Sequence, residues 1–285
     1  MNTAYDSTTF EVLDKLEMVK RHIGMYTDSS SPLHMAMEIV DNALDETVKT
    51  DRSRILVSFK KGVVTVRDFG RGIPFDIHKQ TGVPVIRLAF ERLHAGAKMS
   101  QSAAYSVSAG VHGVGSAVTN ALSLYLNAFS YREGTVCQVQ YVKSEFVSIH
   151  ENKTTEANGT KVEFAPDTSY FQQALTAEKL REMLIVKSAV TGVTFEYETE
   201  ETTEIIKVDL FQLFAEGNPP KYVSSIPFSG NGGNPTNPIR FEGFILVYSS
   251  DVFIRDFSFY NNIRTIHGGT HEYAAKEGIL EIIVV

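Results

Sequence analysis

Residues 29–49, SSSPLHMAMEIVDNALDETVK, constrain this chain more than any other stretch. Apolar residues recur at helical spacing behind Ser31, which suits an N-cap, and Pro32, which suits the first helical position. The same helix carries Glu38, Asp41, Asn42, Asp45 and Glu46, with no basic residue between Met37 and Glu46. Glu38, Asn42 and Glu46 are spaced i, i+4, i+8 and so share one stripe. Like charges at this spacing each cost about 0.2–0.5 kcal/mol, so an acidic stripe needs a reason. A solvated face is the ordinary one. The functional one is chemical: an amide among carboxylates offers a neutral carbonyl oxygen suited to Mg2+. A carboxylate one turn before it can take a proton from water.

Around this helix the pattern is that of a globular protein with 43% hydrophobic and 21% charged residues, and 285 residues divide more readily into two domains than one. No apolar run reaches the roughly 18–20 residues that cross a bilayer, and the N-terminus has no signal-peptide core. No membrane contact and a cytoplasmic location are expected. The single cysteine, Cys137, excludes an internal disulfide, suits a reducing compartment and reads as a core residue of a strand. A net charge of −7 without a dense basic run argues that any DNA is gripped elsewhere.

Residues 1–14 read as a polar arm. ILVSFKKGVVTVRDF follows the first helix as two strands joined at Lys60-Lys61-Gly62, and PVIRLAFERLHAG as a helix from Pro84 to Gly96. The Ser/Ala/Gly segment GAKMSQSAAYSVSAGVHGVG then leads into a helix from Ser116, and loops of this length usually serve as lids or are disordered. The strands LYLNAFSY, TVCQVQYV and TKVEF, the helix LTAEKLREMLIVKSAV and a further strand pair complete a first unit near residue 210. EYETEETTE reads as a solvated hairpin tip. From about 211 a second, mixed domain is expected, turn-rich in GNPPKY and SGNGGNPTNP and strand-rich in RFEGFILVYSS and VFIRDFSFYNN. The apolar ending ILEIIVV makes the chain look like a fragment.

Three further motifs bear on chemistry. In DFGRGIP, Asp68 ends a strand and Gly70 and Gly72 allow a tight turn and the approach of a flat ligand, although a plain turn would look the same. An acid there can accept a hydrogen bond from an exocyclic amine such as that of adenine. In GVHGVGSAV, glycines 110, 113 and 115 run into a helix start, where backbone N–H groups and the helix dipole favour an anion. It is neither a Walker A loop nor a Rossmann turn. In NGTKVEF, Gly159-Thr160 enters a strand, and the threonine hydroxyl can bond a ligand or merely satisfy a turn.

Taken in order, these four motifs resemble the Bergerat-type ATP site of the gyrase, heat-shock chaperone, histidine kinase and MutL superfamily. EIVDNALDE, RDFGRGIP, LHAGAK, GVHGVGSAVTNALS, YREG and GGTHE resemble more closely the gyrase B-subunit and topoisomerase IV ParE family of type IIA DNA topoisomerases. The resemblance covers about residues 1–275. It implies an α+β fold: an arm (1–14), a Bergerat-type (GHKL) sandwich of mixed sheet and helices (15–210), and part of an α/β transducer domain (211–285). It implies Glu38 as the general base and Asn42 as the Mg2+ ligand, with ATP as substrate. Glu46 and Arg71 would pair beside the adenine pocket. Asp68 would accept the adenine amine, supported by Thr160, and Ile39, Val66, Ile73 and Val162 would wall the base. Gly72 belongs to the same turn, and Pro74 and Arg132 to the pocket mouth where aminocoumarins bind in family members. Lys98 and Tyr105 would reach the nucleotide from the lid. Val111, His112, Gly113, Val114 and Gly115 would wrap the phosphates, and Tyr5 would reach the partner subunit's nucleotide.

The implied partners are a second copy in an ATP-dependent homodimer, a gyrase A or ParC-type DNA-cleaving subunit, and DNA through the full-length enzyme. Departures qualify this. The family's Arg-Pro-Gly-Met-Tyr reads His22-Ile23-Gly24-Met25-Tyr26, and KVDLFQLFAEGNPP lacks its usual glycine pair. No Gln-Thr-Lys occurs, so weak hydrolysis by this chain is expected. A nucleotide-binding and dimerisation module with negligible turnover, or a MutL-type relative, are the alternatives. His267 and His271 have glycines between them and no evident third ligand, which argues against zinc, and the other histidines carry no pattern.

Overall fold

The computed structural model describes residues 15–50, 54–93, 113–209, 212–213, 222–234, 237–248, 259–260 and 263–264. The chain divides into two compact units, Met1–Lys207 and Val208–Val285.

In the first unit, five described helices form one layer: α1 (Lys15–Arg21), α2 (Leu33–Thr50), α3 (Val85–Glu91), α4 (Gly115–Ala121) and α5 (Ala177–Thr191). The other layer is an eight-stranded sheet of β1 (Arg54–Lys60), β2 (Val63–Arg67), β3 (Ser123–Arg132), β4 (Thr135–Val142), β5 (Glu145–Lys153), β6 (Gly159–Pro166), β7 (Thr194–Glu198) and β8 (Thr203–Ile206). Its order is β5-β4-β3-β6-β2-β1-β7-β8; β1 and β7 run parallel and every other neighbouring pair antiparallel. The mixed sheet with helices on it makes the unit α+β, the expected class.

Helix α2 forms the centre because its sequence offers two stripes. Met35, Ala36, Ile39, Val40, Ala43 and Leu44 are buried, on a spacing that keeps them on one side of the helix. They meet a sheet whose strands alternate inward and outward, with Ile55 and Val57 from β1, Val64 and Val66 from β2, and Val162 and Phe164 from β6 all buried. Burying one such side chain is worth about 1.5–3 kcal/mol, so the shared core outweighs the repulsion within the acidic stripe.

Several boundaries depart from the sequence expectation. Helix α2 starts at Leu33, one residue past Pro32, with Ser31 Oγ accepting from Leu33 N at 3.3 Å. Helix α3 stops at Glu91, well before Gly96, because Arg92 already has extended backbone (φ −119°, ψ 127°). Helix α4 begins at Gly115 rather than Ser116. Strand β5 has no counterpart in the sequence expectation; it is an edge strand exposed along most of its length, so it carries no alternating apolar signal. Cys137 is buried in β4, as expected.

Helix α5 starts at Thr176, whose side chain accepts from Lys179 N, and ends at Gly192 in the left-handed region (φ 70°). It meets α2 through an ion pair buried on both sides, Lys187 Nζ to Asp41 Oδ1 at 2.6 Å. The cation absent from Met37–Glu46 is thus supplied by α5. Asp41 lies in the packing between helices, not on the ligand-facing stripe.

In the second unit, β9 (Tyr222–Asn234) and β10 (Asn237–Tyr248) form an antiparallel pair, and β11 (Phe259–Tyr260) pairs with β12 (Ile263–Arg264). The segment SGNGGN, expected as turn, is the end of β9: its backbone pairs with β10 from Ser229↔Glu242 to Asn234↔Asn237. Ladder hydrogen bonds need no side chain, so glycines there are compatible with a strand.

Candidate functional site

A cavity of about 1210 Å3 opens between α2, α3, the start of α4 and the sheet. Glu38, Asn42 and Glu46 all line it, one helical turn apart on α2. Asp68, Arg71, Gly72, Ile73 and Pro74 come from the turn after β2, Gly113 and Gly115 from the start of α4, Arg132 from β3, and Thr160 and Val162 from β6. Ile39 and Val66 complete the expected set. Val114 is not a lining residue; its carbonyl accepts from Val118 N at 2.9 Å in the first turn of α4. Tyr5, Lys98, Tyr105, Val111 and His112 lie outside the described residues, as do His267 and His271.

Asp68 is the best-defined group. It is 4% exposed, and its Oδ1 accepts from Gly70 N at 2.8 Å and Thr160 N at 3.1 Å. Both bonds go to one oxygen, which leaves Oδ2 to the cavity. Burial raises its pKa from the ordinary 3.8 to about 6, against the lowering pull of those two amides and of Arg67. The site therefore holds a desolvated acceptor whose charge a donor from a ligand would stabilise.

The turn after β2 is pinned to β3 on its far side. Gly72 sits at φ +75°, and a Cβ there would meet Tyr131 O at 2.8 Å, so glycine is needed twice over. Arg132 Nη1 donates to Gly72 O at 2.8 Å and Ser130 Oγ to Ile73 O at 2.6 Å. On the near side Arg71 forks onto Glu46, with Nε to Oε2 at 2.9 Å and Nη2 to Oε1 at 2.7 Å.

At the other end, α4 is set tightly onto α2. A Cβ on Gly115 would overlap the Glu38 carboxylate, and Asn42 Nδ2 donates to Ser116 Oγ at 3.1 Å. One group here was assigned no role from the sequence. His34 Nε2 lies 3.9 Å from Glu38 Oε1, while its Nδ1 meets Thr27 Oγ1 at 2.9 Å. The bond at Nδ1 fixes which ring nitrogen faces the acid. The i, i+4 spacing of His34 and Glu38 is the signal that could have found it. Val85, Leu88, Asn158 and Ser116 line the cavity in addition to the expected residues.

The donor set suits one class of metal. Among the described residues no group of three His, Cys, Asp or Glu could hold an ion alone. Asn42 in an open cavity fits Mg2+, which takes one or two protein oxygens and completes its shell with phosphate and water.

A buried acid at a strand end, an acid-amide helix and a glycine turn entering a short helix, all facing one cavity on a mixed sheet, define a nucleotide-binding ATPase fold. Residues 27–169 match the family described as histidine kinase-, DNA gyrase B-, and HSP90-like ATPase, and the chain belongs to it. Among its relatives, the B subunit of DNA gyrase from Halalkalibacterium halodurans is 33% identical over 299 residues, spanning 98% of this chain and 46% of that protein. The B subunit of DNA topoisomerase 4 from Escherichia coli is 32% identical over 292 residues, spanning 99% of this chain and 46% of that protein. The chain spans about half the length of these curated relatives.

Solved structures agree. The 43K ATPase domain of Thermus thermophilus gyrase B, in complex with an aminocoumarin, superposes with TM-score 0.63 at 25% identity, over 78% of this chain and 60% of that one. The topoisomerase IV ATP-binding domain of Francisella tularensis, with a small-molecule inhibitor, gives 0.58 at 29% identity, over 69% and 96%. No helix among the described residues is long and apolar enough to cross a membrane.

Proposed function

We propose that this chain is the ATP-binding and hydrolysing region of the ATPase subunit of a type IIA DNA topoisomerase. In this reading nucleotide-driven dimerisation of two copies gates DNA passage through a complex with a gyrase A or ParC-type cleaving subunit, in the cytoplasm. The observation that carries it is the convergence of Glu38, Asn42, Asp68 and Thr160, from three elements, on one cavity. Support for the division into an ATP-binding domain (15–210) and a partial transducer (211–285) comes from the break between the two units after Lys207.

Asp68 accepts the adenine amine through Oδ2, and the amide of Thr160 keeps the carboxylate oriented. Ile39, Val66, Ile73 and Val162 supply the apolar walls, with Arg71, Gly72, Pro74 and Arg132 at the mouth. The phosphates extend toward α4 and the backbone of Gly113 to Gly115, and the family resemblance assigns Val111, His112, Lys98 and Tyr105 to the same phosphates and Tyr5 to the partner's nucleotide. Asn42 would hold Mg2+, which when bound neutralises charge on the phosphate oxygens. Glu38 takes the proton of the water that attacks the γ-phosphorus, and the bond to the bridging oxygen breaks to release ADP.

Calorimetric titration with Mg2+ and a non-hydrolysable ATP analogue tests the pocket. A lost hydrogen bond to an ionised acceptor is worth about 1.5–3 kcal/mol, so Asp68→Ala should bind roughly 10- to 150-fold more weakly. Glu38→Gln should bind normally while turnover falls about 10²–10⁴-fold. Equal binding by wild type and Asp68→Ala would refute the assignment.

A further inference from the structure

Arg67 stands next to Asp68 yet does not line the cavity. It is 7% exposed. Its Nη2 donates to Ala157 O at 2.6 Å, and its guanidinium lies 4.0 Å from the Tyr131 ring centroid and 5.1 Å from that of Phe69. The sheet register explains the meeting: Arg67 is opposite Lys161 on β6, and Tyr131 on β3 is opposite Gly159. Gly159 has φ +141°, and a Cβ there would meet Arg67 Nη1 at 2.8 Å and overlap the Asp68 carbonyl. Nη1 itself has no hydrogen-bond partner among the described residues. A desolvated cation is therefore held at a cost, over the one stretch of backbone that leads into Thr160.

We propose that Arg67 is a positioning residue of the nucleotide pocket, clamping residues 157–160 from behind so that Thr160 N and Asp68 Oδ1 stay in register. This rests on the reading of Asp68 as the adenine acceptor. Two bonds close the clamp, Asp68 N to Thr160 O at 2.9 Å and Thr160 N to Asp68 Oδ1. Arg67 bears on the 157–160 backbone at Ala157 and at Gly159, and stacking on Tyr131 fixes its fork. A lysine keeps the charge but cannot fork or stack in the same way.

The charge has a second effect. Arg67 draws the Asp68 carboxyl down against its burial, helped by the Gly70 and Thr160 amides and opposed by Glu46 from α2. Arg67 is in turn faced by Tyr131 and Glu156. Removing the cation therefore leaves Asp68 protonated to a higher pH, in a form that cannot accept through both oxygens.

The test titrates the whole chain with Mg2+ and a non-hydrolysable ATP analogue at pH 6 and pH 8, as wild type, Arg67→Met and Arg67→Lys. Arg67→Met should bind about tenfold more weakly at pH 8, and its deficit should be larger at pH 6. The titration of the phosphates is common to all three proteins and cancels in the ratio. Arg67→Lys should also bind more weakly but keep the wild-type pH dependence. Binding by either variant within twofold of wild type at both pH values overturns the inference, as does an Arg67→Met deficit identical at both. If Arg67→Met does not fold, Arg67→Lys decides by affinity alone. Failure of the wild type to bind at all would instead overturn the nucleotide reading.

Discussion

Replacing Asp68 by asparagine should stabilise the protein while disabling its pocket. The carboxyl is buried, and its pKa rises from 3.8 to about 6 on folding. A raised carboxyl pKa means that the charged form is disfavoured in the folded state. Below about pH 4 the group is protonated in both states and costs nothing. As pH climbs to about 6 the unfolded chain ionises more readily, and stability is lost. Above pH 6 the full cost stands. Two pH units at about 1.4 kcal/mol each put it on the order of 3 kcal/mol. The substituted amide would keep an Oδ1 for the Gly70 and Thr160 amides, but its Nδ2 would face the adenine amine, donor against donor. In urea denaturation the variant should gain on the order of 3 kcal/mol at pH 8 and nothing at pH 4. In thermal denaturation the pH 8 gain should appear as roughly 6–12 °C. Analogue binding at pH 8 should fall by at least tenfold. Parallel stabilities of wild type and variant from pH 4 to pH 8 would refute the reasoning.

Breaking the Asp41–Lys187 pair by Lys187→Met should cost about 3–5 kcal/mol in urea denaturation, because a buried carboxylate loses its cation. The loss should shrink at low pH, since burial already raises the pKa of Asp41 despite the pull of Lys187. Asp41→Leu combined with Lys187→Met should recover most of it; a double variant no better than the single would contradict this account. Gly115→Ala should leave circular dichroism unchanged yet lower ATP turnover about tenfold or more, since its Cβ displaces the Glu38 carboxylate. Wild-type turnover would show that the two helix ends give way freely.

What the sequence made legible was local. The cap and stripe of α2 and the hairpin β1–β2 depend on residues close along the chain, and the glycine at 72 on φ, and pattern reaches that far. Strand β5 escaped because an edge strand needs no apolar face. The SGNGGN segment looked like turn because side-chain propensity says nothing about a partner strand. Lys187 answers the acids of α2 from 146 residues away, and Arg67 meets Ala157 only through the register of β2, β6 and β3. Such pairings are set by topology, which no window of residues contains.

The bonds between Asp68 and Thr160 span 92 residues and form only once β6 has added itself between β2 and β3. On the ribosome, where the chain emerges N-terminus first, everything upstream of β6 would be present before the Asp68 carboxylate is properly oriented. The acidic helix, the glycine turn and the buried acid would all have been made by then. Nucleotide could therefore not help to bring β6 to its place; it could only trap the pocket once β6 has joined β2 and β3, stabilising that arrangement by mass action. An inhibitor occupying this pocket would, by the same logic, stabilise destabilised variants only after β6 is in place.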